Sequence, residues 1–97
     1  MKKLIAVGIT ALLLSGLSGQ AEEAKVLYDK NCSSCHGKDG KGTPIAPALN
    51  TPEFAAKFAY DSALVDVIRK GAGIMPGFDK LSDADVADIV AYLRSLP

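Results

Sequence analysis

Metal-ligating side chains are scarce in this chain: one histidine and two cysteines among 97 residues. A structural zinc site asks for four Cys or His ligands, so these three cannot close one. Positive charge is not in excess either, with 11 basic against 11 acidic side chains. That balance leaves no basic footprint for nucleic acid. The longest uncharged apolar run, from Leu4 to Leu17, falls short of the ~20 residues a spanning helix needs. No convincing strand alternation, internal repeat or low-complexity tract is present, which argues against sheet and solenoid architectures.

What the chain does have begins at its start. Met1-Lys2-Lys3 is a short positive opening, Leu4 to Leu14 is apolar, and Ser15 to Ala21 is small and polar, ending in Gly19-Gln20-Ala21. This three-part pattern is that of a cleaved secretory signal peptide over residues 1–21, leaving 22–97 as the only domain. Losing Lys2 and Lys3 leaves nine basic against 11 acidic residues, a net charge of about −2. A domain this small buries too little surface to be secure without a staple, a metal or a cofactor.

The remaining chain reads as helices joined by loops. "EEAKVLYDKN", residues 22–31, carries acids in its first turn, and Ala24, Leu27, Tyr28 and Cys32 recur at helical spacing. From Gly37 to Asn50 the density of Gly, Lys, Asp and Pro predicts a loop without regular structure. Thr51 followed by Pro52 predicts a capped helix through about Phe58. Asp61 is expected to cap a third helix with Leu64, Val65 and Ile68 on its apolar stripe and Gly71 at its end. Residues 71–78, "GAGIMPGF", form a second loop. Ser82 with Asp85 resembles a capping box, Leu81 with Val86 a hydrophobic staple, and Val86, Ile89, Val90, Leu93 and Leu96 follow the helical period. The fold class is therefore all-α, with about four short helices.

Both cysteines and the histidine stand together in "CSSCH", Cys32 to His36. A structural disulfide would close so tight a loop that it adds little stability through chain entropy. A redox-active dithiol belongs in a βαβ context, which is missing, and leaves the histidine without a role. Covalent haem attachment uses every member. Cysteines at i and i+3 lie on one face of a helical turn, where both sulfurs reach the vinyl groups of one porphyrin edge. His36 is then carried under the ring, where an imidazole nitrogen can bind iron. Export agrees with this reading, because such attachment is carried out beyond the cytoplasmic membrane, and the macrocycle would complete the core.

An iron held by one histidine keeps a second axial position, and its occupant separates electron transfer from ligand chemistry. With Met1 removed, Met75 is the remaining methionine. Methionine is ordinarily soft core filler. Met75, however, sits in an irregular loop, with Pro76 restricting the backbone beside it and Gly71, Gly73 and Gly77 permitting close approach to a flat ring. It is read as the distal ligand.

"CSSCHGKDGKG", then Pro47-Ala48-Leu49, "GIMPGF" and a C-terminal "DIVAYL" helix resemble, in order, the class I c-type cytochromes, and among them the small soluble monohaem bacterial proteins. The resemblance covers nearly all of residues 22–97. It implies a class I cytochrome c fold around one haem c, with N- and C-terminal helices crossing near Ala24, Tyr28 and Tyr92. It implies thioethers at Cys32 and Cys35, axial ligation by His36 and Met75, and a hydrogen bond from the His36 ring to the Pro47 carbonyl. The expected protein is a monomeric periplasmic electron carrier rather than an enzyme. It would exchange electrons with redox partner proteins such as a membrane respiratory complex, a terminal oxidase, a peroxidase or another reductase, with no stable membrane insertion after cleavage. The competing expectations are an electron-entry subunit of a larger redox enzyme, and a peroxidase-like or gas-binding haem protein. Lys38, Lys41, Lys57 and Lys80 are read as solvated surface.

Overall fold

The computed structural model describes residues 20–97 of the protein. The proposed signal peptide, save for its last two residues, lies outside them. Among the described residues five α-helices follow one another: α1 over 20–31, α2 Ser33–His36, α3 Pro52–Lys57, α4 Asp61–Lys70 and α5 Asp83–Ser95. Among the described residues there is no strand, only an isolated bridge between Ala72 and Met75. No helix of the described residues is long and apolar enough to cross a membrane.

The apolar stripes read from the sequence form the core. Ala24 and Tyr28 of α1, Leu64 and Ile68 of α4, and Val86, Ile89, Val90 and Leu93 of α5 are all buried. Helical spacing stacks each set on one face, so three helices can pool them. Fully burying a side chain of this kind contributes about 1.5–3 kcal/mol, and with so few the protein part of the core is thin. The first and last helices meet where Tyr28 and Tyr92 lie, their ring centroids 4.9 Å apart. Tyr28 is wholly buried, and its hydroxyl is satisfied by donating to the Gly37 carbonyl at 2.8 Å.

Local signals hold at most boundaries. The Thr51 hydroxyl accepts from the Phe54 amide with Pro52 in the first turn, and the Ser82 hydroxyl accepts from the Asp85 amide. Gly71 ends α4 at φ 79°, a conformation that excludes most L-residues. Two expectations need correction. Asp61 is the first residue of α4 and not its cap; Tyr60 holds the cap position without a side-chain bond. The Asp61 carboxylate instead accepts from Arg94 Nε at 3.0 Å, a partner 33 residues away that no local pattern announces. The segment after His36 is also not wholly irregular, since Lys38–Gly40 makes one 3₁₀ turn.

Candidate haem site

Helix α1 breaks at Cys32, whose backbone (φ −122°, ψ −31°) leaves the helical region before α2 resumes at Ser33. The break aims Cys32, Cys35 and His36 at one cavity of about 720 Å³. Cys32 is half-buried and Cys35 exposed. Burial, with a smaller contribution from Cys35, pushes the Cys32 thiol up to about 11. A dithiol oxidoreductase works through a thiolate of depressed pKa. Cys32 is shifted the opposite way, which counts against it as the attacking thiol of such a pair. The zinc reading fails: no group of three or more Cys, His, Asp or Glu among the described residues could hold a metal ion.

The imidazole is oriented by a loop that returns to it. His36 Nδ1 lies 2.9 Å from the Pro47 carbonyl oxygen. A carbonyl only accepts, so Nδ1 carries a proton, and in the neutral ring Nε2 is the nitrogen whose lone pair is left for another partner. Two further bonds shape this loop. The Gly42 amide donates to the His36 carbonyl at 2.7 Å, and the Thr43 hydroxyl donates to the Cys35 carbonyl at 2.5 Å while accepting from the Ile45 amide at 3.1 Å. Thr43 was not singled out from the sequence. Its signal, a hydroxyl eight residues past Cys35, has no local meaning until the chain folds back.

Met75 reaches the same cavity from the segment between α4 and α5. It is half-buried, and its amide and carbonyl exchange hydrogen bonds with Ala72 at 2.9 and 3.1 Å. The structure thus brings Cys32, Cys35, His36, Pro47 and Met75 to one cavity from three separate segments. The rest of its wall is chiefly apolar, with Leu64, Ile68, Ile89 and Leu93 from the core beside Phe54, Phe58 and Phe78. No buried side-chain polar atom among the described residues lacks a hydrogen-bond partner. The volume is within the roughly 300–1,000 Å³ of ligand sites. A chiefly apolar slot with two thiols, an imidazole and a thioether on its wall fits a haem c and suits few other ligands.

An all-helical domain around such a slot defines a small class I c-type cytochrome. The family model described as cytochrome c oxidase, cbb3-type, subunit III matches residues 19–93, and the chain belongs to that family. It is 36% identical over 85 residues to the cbb3-type cytochrome c oxidase subunit CcoP of Azospirillum brasilense, covering 78% of this chain but only 28% of that relative. It is 30% identical over 81 residues to cytochrome c6 of Cyanidium caldarium, covering 80% of this chain and 72% of that one. Its fold matches cytochrome c6 from the diatom Phaeodactylum tricornutum with a TM-score of 0.59 at 22% identity, over 75% of this chain and 88% of that one. The chain therefore carries a c-type cytochrome domain, of a family whose members bind covalently attached haem c.

Proposed function

We propose that Cys32 and Cys35 form the two thioethers, that His36 Nε2 and the Met75 thioether are the axial ligands, and that residues 1–21 export the chain to the periplasm. The mature domain is a monomeric shuttle between redox partner proteins of a respiratory chain. The observation that carries this reading is the convergence of CSSCH and Met75 on one apolar cavity, with the proton on the far nitrogen of His36. Haem c held in this way supplies one-electron chemistry between ferric and ferrous iron.

The residues of the chain do the remainder. Pro47 holds the imidazole in one tautomer and one orientation, which keeps Nε2 available in both redox states. The apolar wall excludes water and disfavours the extra positive charge of the ferric form, raising the potential. The soft thioether of Met75 acts in the same direction. Held by His36 and Met75 together, a haem would need little rearrangement on gaining or losing an electron. A net charge of about −2 over residues 22–97 implies weak steering, which suits a small, short-lived interface.

Met75→Ala tests the assignment. Haem should stay attached while the iron becomes high-spin, binds CO readily and falls in potential; an unchanged spectrum and potential would refute Met75 as ligand. A second reading, an electron-entry domain within a larger assembly, has one observation in its favour: the match to CcoP covers 28% of that oxidase subunit. Gel filtration of native periplasmic extract separates the two, because a shuttle elutes as a free monomer.

A further inference from the structure

Met75 sits on a segment that touches the rest of the protein mainly at its ends. The tip is open: Ala72, Gly73 and Ile74 are exposed, Ile74 by 87%. The near end is fixed by the Gly71 amide donating to the Val67 carbonyl at 2.7 Å. The far end returns to the same last turn of α4, where the Phe78 amide donates to the Ile68 carbonyl at 2.8 Å. Beyond Phe78 one side chain takes over. Arg69 Nη1 donates to the Phe78 carbonyl at 3.1 Å and also to the Leu81 carbonyl. Its Nη2 donates to the Asp83 carboxylate at 2.6 Å, in the first turn of α5. Both backbone groups of Phe78 are therefore held by α4, and one guanidinium spans the chain from residue 78 to residue 83. The Arg69 side chain is 23% exposed whereas that of Asp83 is fully exposed. The ion pair is thus the weakly contributing part, and the charge-assisted bonds to the two carbonyls are the stronger.

We propose that Arg69 is the positioning residue for Met75. By pinning the far end of the ligand-bearing segment, it sets how often Met75 leaves the cavity, and so how readily an external ligand takes its place. The inference rests on the reading that Met75 binds the haem iron. A planar fork reaches two carbonyls and a carboxylate at once; a lysine ammonium at the same position does not.

The test uses the full holoprotein and imidazole as the probe ligand. In Arg69→Ala the ferric protein should bind imidazole about tenfold more tightly than wild type, and the Phe78 amide should lose its protection from hydrogen exchange. Arg69→Lys should fall between the two, and it carries the test should the alanine variant not fold. Asp83→Asn should stay near wild type. Arg94→Ala is the control for a merely structural role. Arg94 makes the same kind of tie, to the Phe58 carbonyl and Asp61, away from the Met75 segment. Its loss should lower thermal stability without changing imidazole affinity. The proposal is overturned if Arg69→Ala binds imidazole as wild type does while Met75→Ala binds it tightly, or if Arg94→Ala raises the affinity equally. If Met75→Ala itself leaves imidazole affinity and spectrum unchanged, the ligand assignment fails and this inference fails with it.

Discussion

His36 and Pro47, 11 residues apart, are joined by a 2.9 Å hydrogen bond between ring Nδ1 and backbone carbonyl. The acceptor is a backbone carbonyl, so no side-chain replacement at Pro47 removes it directly. It can be displaced through Gly42, whose φ of +86° is left-handed and whose Cβ, if added, would lie 2.8 Å from the Ala48 amide nitrogen. Gly42→Ala therefore strains the backbone and pushes the neighbour of Pro47 away. Thermal unfolding should show a loss of about 1–2 kcal/mol from the left-handed conformation alone. Weakening the bond also makes the imidazole less electron-rich, which favours ferrous iron. Redox titration should show a higher potential, and a lower one would contradict the role given to Pro47.

Thr43 ties the same loop to the attachment motif. Thr43→Val keeps the shape and loses the bonds to the Cys35 carbonyl and the Ile45 amide. Two such bonds contribute about 1–3 kcal/mol together. The melting temperature should fall while haem attachment, read by mass, stays complete. A Thr43→Val protein as stable as wild type would mean that the loop is held by its backbone bonds alone: Gly42 amide to His36 carbonyl, residue 43 amide to Ala46 carbonyl and Leu49 amide to Gly40 carbonyl.

Cys32→Ala combined with Cys35→Ala should abolish covalent haem retention and leave a largely unfolded chain. The protein core has only eight buried apolar residues among those described, so the macrocycle supplies much of what must be buried. Circular dichroism and intact mass of the double variant check both halves. A well-folded helical apoprotein would show that the haem is not needed to complete the core.

Tyr28 gives a pH dependence with a definite sign. Burial pushes its phenol up to about 12 from the ordinary value of 10.0. The folded state keeps the proton longer than the unfolded one, so this contribution is fully present below pH 10. It is lost as pH rises through 12, at a slope approaching ~1.4 kcal/mol per pH unit. Tyr92, shifted the same way by burial and then by Asp39, adds to the trend. Tyr28→Phe should flatten the alkaline loss and also destabilise the protein at neutral pH by about 1–2 kcal/mol, because the Gly37 carbonyl loses its donor. An alkaline limb of unchanged slope in Tyr28→Phe would assign it to another group.

Features encoded within one or two helical turns were legible in the sequence: the stripes of α4 and α5, the Thr51 and Ser82 caps, the Gly71 terminator and the CSSCH register. Their periodicity or spacing is itself the physical cause. The convergence of Met75 with CSSCH was legible for a different reason, since few residues in the chain can bind iron axially. Thr43, Arg69 and the true partner of Asp61 were not legible. Each acts on a group 8 to 33 residues away, and the acceptors of Thr43 and Arg69 include backbone carbonyls, which every residue offers alike.

Asp61 and Ser82 make that difference measurable, because both resemble helix caps in the sequence and only one is. Ser82→Ala removes the acceptor for the Asp85 amide, held at 3.0 Å, and leaves an end of α5 unsatisfied. The expected cost is about 1 kcal/mol, and Asp or Asn at this position should restore most of it. Asp61→Ala removes no cap, only a 3.0 Å pair with Arg94 whose carboxylate side chain is 69% exposed. An exposed pair of this kind contributes at most about 1 kcal/mol and is screened by salt. Denaturant titrations at low and high ionic strength should therefore separate the two. The Ser82→Ala loss should persist in salt, and the smaller Asp61→Ala loss should fade. A salt-insensitive loss at Asp61 as large as that at Ser82 would mean that Asp61 caps α4 in solution after all.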